Sequence, residues 1–361
     1  MRSILCMLIM IGYSVTLSAQ ERITLLFAGD LMQHTEQIKA AKTPDGYDYS
    51  DCFKHVKEEI SRADVAVANL EVTLGGQPYR GYPAFSAPDE FLYAIKDAGF
   101  DVLLTANNHC LDRGKKGLER TILMLDSLQL PYAGTYVDSE ARLRRYPLLV
   151  EKNGFRIALL AYTYATNGLS PVAPTLVNYI DKEQMKKDIL AARRMNPDVI
   201  IACMHWGVEY RSLPEKAEKE LADWLIEQGV DHVIGSHPHV LQPMEVKADT
   251  QVNDKHLVVY SLGNFISNMS KVHTDGGAMV AVTPGDIVLA IQAADTGVIT
   301  IDLLGHNGIA LEDDGIVADF PVNAVLGEAD KNIHLHSTVV ATKHTGKAIT
   351  KRHHSTIEYA V

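Results

Sequence analysis

The chain has 361 residues, of which 47% are hydrophobic and 22% charged. That length supports a sizeable core in one large domain or two, and the composition excludes a disordered or fibrous protein. A formal net charge of -11 argues against nucleic acid or an anionic membrane surface as the main partner. An anionic substrate would need a local positive site, which metal ions could supply.

The chain opens "MRSILCMLIMIGYSVTLSAQ", where Arg2 precedes an apolar stretch that gives way to small residues ending at Ala19. This is the layout of a cleavable secretory signal over residues 1–19, too short and interrupted for a convincing membrane span. A retained N-terminal anchor is the competing reading. Cys6 sits at the start of the apolar run, whereas a lipid-attachment cysteine would lie at its end. The expectation is an exported protein, periplasmic or extracellular, associated with the cell envelope and not itself transmembrane after cleavage. Removing the signal leaves Cys52, Cys110 and Cys203, an odd set that matches no disulfide framework. Buried free thiols are expected, with a single Cys52–Cys110 bridge as the alternative.

From residue 23 to about 266, short β-branched runs alternate with helical stretches. "ITLLFAGD", "ADVAVANLE", "FDVLLTANNH", "FRIALLAYT", "PDVIIACMHWG", "VDHVIGSH" and "HLVVYSLGNF" read as strands. Near-continuous apolar strands indicate a sheet covered on both faces. Helices are expected at 88–98, 115–129, 181–195 and 214–228, with Pro88 and Pro214 at or near first-turn positions where a missing N–H costs nothing. The βαβα order predicts an α/β layered fold. Gly/Pro-rich loops at 75–87 and 165–175 are long enough to shape a pocket rim. Beyond about residue 275 the runs "AMVAVTPGDIVLAIQ", "GVITIDLLG" and "STVVATK" read as strands without helices between them. Residues 20–270 are therefore read as one α/β domain and 271–361 as a β-rich C-terminal extension, either a separate domain or further strands on the main sheet.

The chemistry-bearing residues share one location, the C-terminal end of an expected strand: Asp30 and His34, then Glu71, then Asn107, Asn108 and His109, then His205, then His237 and His239. Ligands of α/β sheets bind outside those ends, so the residues are expected to converge on one site. Singly, each has a plainer reading. Asp30 could be a turn aspartate, His34 a surface histidine, "ANNHCLDRG" a helix-capping loop and His205 a core histidine beside Trp206. The H-x-H spacing recurs in "HLH" at 334–336, so context and not spacing carries the signal. Glu71 resists such a reading, because a buried unpaired carboxylate is costly. Carboxylates, a carboxamide and imidazoles without thiolate suit divalent Mn, Fe or Zn. A bridging carboxylate holds two such ions roughly 3.5–4 Å apart, and a hydroxide between them is a nucleophile at neutral pH. A histidine outside the ligand set could protonate a leaving group.

The motifs "FAGDLMQH", "NLE", "LTANNHCLDRGKKGL", "CMHWGVEY", "GVDHVIGSHPHVLQPME" and "VVYSLGNFI" closely resemble the CapA family of capsule-synthesis proteins. That family is itself similar to the calcineurin-like metallophosphoesterases. The resemblance covers about residues 23–268, with the motifs in order at compatible spacing. It implies a layered αββα fold and two divalent metal ions. By resemblance Asp30 and His239 serve the first metal, Glu71 bridges, and Asn108, His205 and His237 serve the second. His109 assists the leaving group, and Pro238 fixes the divergence of the two histidines beside it. Two departures stand out: the superfamily has Asp-x-His where three residues separate Asp30 from His34, and Glu71 stands in place of an aspartate. His34 is nonetheless expected as a metal ligand.

Two functional readings follow. The first is an exported dinuclear-metal hydrolase of capsule or poly-γ-glutamate biosynthesis, acting on a phosphoester or related anionic substrate. Arg113 and Arg211 would then bind that substrate, with Lys115 and Lys116 nearby; solvated surface charge is the plainer reading for each. The second is a non-catalytic polymer-binding or export partner of a membrane synthase, with the metals structural.

Overall fold

The computed structural model describes residues 23–249, 254–283, 286–293, 297–301, 312–313 and 316–317. The expected signal at 1–19, the run "STVVATK" and the "HLH" tripeptide lie outside the described residues. Four parallel strands open the first sheet: β1 (Leu25–Leu31), β2 (Val65–Leu70), β3 (Val102–Leu104) and β4 (Tyr132–Ala133). Six strands form a second sheet: β5 (Leu148–Lys152), β6 (Phe155–Thr163), β7 (Val199–His205), β8 (His232–Ser236), β9 (Met244–Asp249) and β10 (Asp254–Val259). Its order is β9-β10-β8-β7-β6-β5, parallel through β6, β7, β8 and β10 with an antiparallel strand at each edge.

The chain then returns to the first sheet through β11 (Asn264–Ile266), β12 (Gly276–Thr283), β13 (Asp286–Ala293) and β14 (Gly297–Ile301). β12 pairs antiparallel with β1 over Leu25–Ala28, and β11 takes the same edge at Asp30 and Leu31. The strands expected in a C-terminal extension thus continue the first sheet across residue 271. The physical reason is the edge of β1, whose N–H and C=O groups would otherwise lack partners inside the protein. Ala278, Met279 and Val280 lie fully buried in the common core.

Every residue of β1, β2 and β7 is buried, as their unbroken apolar runs require. Phe27, Val67 and Leu103 of the first sheet share one core cluster with Leu159, Ile201 and Val258 of the second. Each such side chain contributes about 1.5–3 kcal/mol. Three expected helices appear as Asp89–Asp97, Lys182–Arg194 and Lys216–Glu227, and the fourth as Gly114–Ser127. Each turns its apolar stripe onto the sheets, for example Leu118, Ile122 and Leu125. The architecture is the layered α/β arrangement of two sheets with helices outside them. Cys52, Cys110 and Cys203 are all free, so the alternative bridge does not form, and Cys52 is exposed where a buried thiol was expected. Among the described residues no helix is long and apolar enough to cross a membrane.

Candidate metal centre

The C-terminal ends of β1, β2, β7 and β8, with the loop after β3, meet at one place. Gly29 lets β1 reach it: a Cβ there would stand 2.0 Å from the Gly263 carbonyl oxygen. The β1–β2 register slips between Ala28 and Asp30, which delivers Asp30 beside Asn69. Glu71 follows immediately after β2. His205 ends β7, and His237 and His239 follow β8 with φ of 101° and 60°. Left-handed backbone at bulky residues is uncommon and concentrates at functional sites. Here it points two rings, 5.8 Å apart between centroids, in different directions around Pro238.

Besides a Glu209/His237/His239 group, two groups of donor atoms result, Asp30/Glu71/His239 and Glu71/His205/His237, each with its atoms within 4.8 Å of one another. Glu71 belongs to both. Its Oε1 lies 3.6 Å from His205 Nε2 and 3.8 Å from His239 Nε2. Asn108 joins through Oδ1, 2.8 Å from His205 Nε2. Asn69 Nδ2 donates to Asp30 Oδ1 at 2.8 Å, and Asn107 Nδ2 donates to Asn69 Oδ1 at 3.1 Å and to the Leu70 carbonyl at 2.8 Å. These amides fix the carboxylates from behind.

The donor set fits divalent cations on three counts. Glu71 Oε1, His237 Nδ1 and His239 Nε2 are buried atoms without a hydrogen-bond partner, an arrangement that costs free energy unless something else satisfies them. Burial, then the neighbouring Asp30, pushes the Glu71 carboxyl well above the ordinary carboxylate value. Burial pulls His205 well below the ordinary histidine value, with repulsion from His237, His239 and His109 adding to it. Burial and His239 pull His237 down to about 3 against the attraction of Asp30. Imidazoles held neutral keep their lone pairs, and a cation would reverse the penalty on Glu71. Asp30, Glu71, His205, His237, His239 and Asn108 are the residues that could hold such ions.

His109 stands apart from these groups. Its Nδ1 lies 2.8 Å from Asp112 Oδ2, both side chains are buried, and the Phe85 ring packs edge-on at 4.7 Å. Both expected rim loops arrive here, since Phe85 belongs to 75–87 and Asn167 Oδ1 accepts from Asn108 Nδ2 at 3.3 Å.

Three expected site residues are placed elsewhere. His34 caps the helix Thr35–Ala40, its ring packs 5.2 Å from Phe85, and its Nδ1 accepts from the Asn268 N–H at 3.2 Å; neither donor group includes it. Arg113 Nη1 donates to the Pro78 carbonyl at 2.9 Å. Arg211 is exposed, and its carbonyl accepts from Gln242 Nε2 at 2.8 Å. Sequence reasoning missed Asn69, Asp112, Asn167 and Glu209. Asn69 carries a signal, since it lies two residues before Glu71 and so on the same strand face. Asp112, three residues beyond His109, lies one helical turn away in a turn-rich segment. Glu209, whose Oε1 lies 4.0 Å from His239 Nε2, falls inside the motif "CMHWGVEY" but ends no strand, and nothing in the pattern singles out Asn167.

Fold and side chains together define an α/β protein with a buried carboxylate–imidazole cluster at the strand ends. The chain belongs to the bacterial capsule synthesis protein PGA_cap family, whose model matches residues 24–269. It is 29% identical over 277 residues to the capsule biosynthesis protein CapA of Bacillus anthracis, covering 72% of this chain and 63% of that one. It is 28% identical over 274 residues to the PGA biosynthesis protein CapA of Bacillus subtilis (strain 168), covering 70% and 66%. The chain thus spans a little under two thirds of the length of these relatives. Among solved structures, the NAD nucleotidase NadN of Haemophilus influenzae superposes with a TM-score of 0.48 at 12% identity, over 79% of this chain and 59% of that one.

Proposed function

We propose that this protein is an exported, envelope-associated member of its family that works in the biosynthesis of an extracellular anionic polymer such as poly-γ-glutamate, as a dinuclear-metal hydrolase. Asp30, Glu71 and His239 would hold one divalent ion; Glu71, Asn108, His205 and His237 would hold the second, with Mn, Fe or Zn suited to these donors. When bound, the ions would supply a nucleophilic hydroxide at neutral pH and neutralise charge on a phosphoester or related anionic substrate.

The chain's own groups do the rest. Asp112 accepts from His109 Nδ1, stabilises the imidazolium and leaves Nε2 free to hold a proton for the leaving oxygen. Tyr164, partly exposed, lies against the His237 ring at 4.5 Å. The observation that carries the reading is the trio of buried, unpartnered atoms on Glu71, His237 and His239.

The test is metal analysis of freshly purified protein, followed by hydrolysis of an aryl phosphate with Mn(II), for wild type and Glu71→Ala. Wild type should retain metal and turn over, and the variant should lose at least about 10²–10³-fold in rate. No metal-dependent rate in wild type removes the hydrolase. Metal uptake without turnover, together with retention of a poly-γ-glutamate oligomer, supports the polymer-binding partner of a membrane synthase instead.

A further inference from the structure

The Asp30 side of the centre is one side chain short of the set that the resemblance implies. The position two residues after Asp30 is Met32, fully buried in the core. His34 does not take its place. The partner of His34 Nδ1 is a backbone N–H, which can only donate, so the neutral ring must carry its own proton on Nε2. A protonated nitrogen offers no lone pair to a cation. His205 differs, because its Nδ1 has beside the Asn69 amide nitrogen, at 3.2 Å, the Ser236 hydroxyl at 3.1 Å, which can accept, so its proton can sit on Nδ1 and leave Nε2 its lone pair.

His239 shows where the missing donor lies. Its Nδ1 faces two acceptors, Asn264 Oδ1 at 3.1 Å and Asp30 Oδ2 at 3.3 Å, so Nδ1 bears the proton and Nε2 the lone pair. That lone pair is buried, lacks a partner, and looks between two carboxylates: Glu71 Oε1 at 3.8 Å and Glu209 Oε1 at 4.0 Å. Three electron-rich atoms facing one gap repel one another unless a cation lies among them. Glu209 reaches the gap from the open side, 42% exposed, on the loop that follows β7. Gly207 and Tyr210 turn that loop with φ of 86° and 64°, and the Tyr210 N–H donates to the Pro238 carbonyl at 2.8 Å. The loop is thereby tied to the segment carrying His237 and His239, and Glu209 with those two histidines forms a third group of donor atoms within 4.8 Å.

We propose that Glu209, and not His34, supplies the further ligand beside His239, while the Nε2–H of His34 remains a hydrogen-bond donor. This rests on the metal reading above. The experiment is calorimetric titration of chelator-stripped protein with Mn(II), with the paramagnetic signal of free Mn(II) as a second readout. It needs no turnover. Wild type should take up two ions. Glu209→Gln should weaken one of them at least about tenfold and spare the other, the lower bound being the loss typical of groups that only support a ligand. Glu209→Asp should fall between the two. His34→Asn, which keeps a cap-forming side chain but no imidazole, should bind both ions as wild type does. Unchanged affinities in Glu209→Gln, or loss of an ion in His34→Asn, overturns the assignment and leaves the centre standing. Failure of the wild type to bind any divalent ion overturns both.

Discussion

The two sheets bring different chemistry to their common edge. The first delivers carboxylates and carboxamides, Asp30, Asn69, Glu71, Asn107 and Asn108, in or just beyond buried strands and braced by amide hydrogen bonds. The second delivers imidazoles, His205 from a strand end and His237 and His239 from a segment with left-handed backbone. The first half is braced by amides around its carboxyl groups; in the second, burial favours the neutral form of His205 and His237. The halves are complementary: carboxylates alone would leave the site negative toward an anionic substrate, and neutral imidazoles alone would offer no charge to balance two dications. The difference predicts that the halves fail differently.

The largest effect is expected from the first half. His109→Gln should leave metal content intact, because neither donor group contains His109, and should lower the hydrolysis rate about 10²–10⁴-fold. An aryl phosphate with a good leaving group should be affected less than an alkyl one, since it needs less protonation. Equal losses on both would show that His109 does not serve the leaving oxygen.

The second half should reveal itself through pH. For His205 and His237 the folded value lies below the ordinary one, so the unfolded chain takes up protons first as pH falls. Their stabilising contribution is present above about 6.5 and is lost as pH falls toward 3, the value to which His237 is pulled. Glu71 has the opposite sign: its raised value makes its contribution full below the ordinary carboxylate range and lost as pH rises through the folded value. Between about 4.5 and 6.5 the two histidines outweigh the one carboxylate. Chelated protein should therefore melt lower at pH 5 than at pH 7, and His237→Gln should shrink that gap. Added Mn(II) should raise the melting temperature more at pH 7 than at pH 5, because protons compete for the same nitrogens. A chelated protein whose melting temperature does not change over this range would contradict the neutral, buried state of these rings.

The halves were also unequally legible in sequence. The strands of both sheets announce themselves because burial on two faces demands unbroken apolar runs, and their polar ends then mark the site. Strands β4, β5 and β9 were not read; β9, "MEVKAD", is an edge strand with a charged residue at every second position. β4 has only two residues, and β5, "LLVEK", is exposed at one end and carries charge there. The helix Ser139–Arg145 buries only Ala141, so it has no apolar stripe to detect. Asp30, Glu71, Asn108 and the three histidines that the structure gathers stand out in the sequence because each ends or closely follows an apolar run. Glu209 does not, because it ends no strand: the left-handed Gly207 separates it from β7 and Tyr210 turns the chain again just beyond it. His34 was read as a ligand from its nearness in sequence to Asp30, whereas the helix it caps and the Asn268 amide decide which way its ring faces.

The smallest effect concerns the two arginines, where steering and contact make different predictions. Arg113 is tied to the Pro78 carbonyl, so its charge is partly engaged in holding the loop at 75–81. Arg211 is exposed, and only its backbone is seen to hold Gln242. If Arg211 acts through its field alone, Arg211→Ala should lower kcat/KM a few-fold at low salt, with kcat unchanged, and the difference should vanish as salt screens it. Arg113→Ala should add a salt-independent loss, since the loop that carries Phe85 onto His109 would loosen. A salt-independent fall in kcat for Arg211→Ala would instead put that side chain on the substrate, and the site would have to close over it during the reaction.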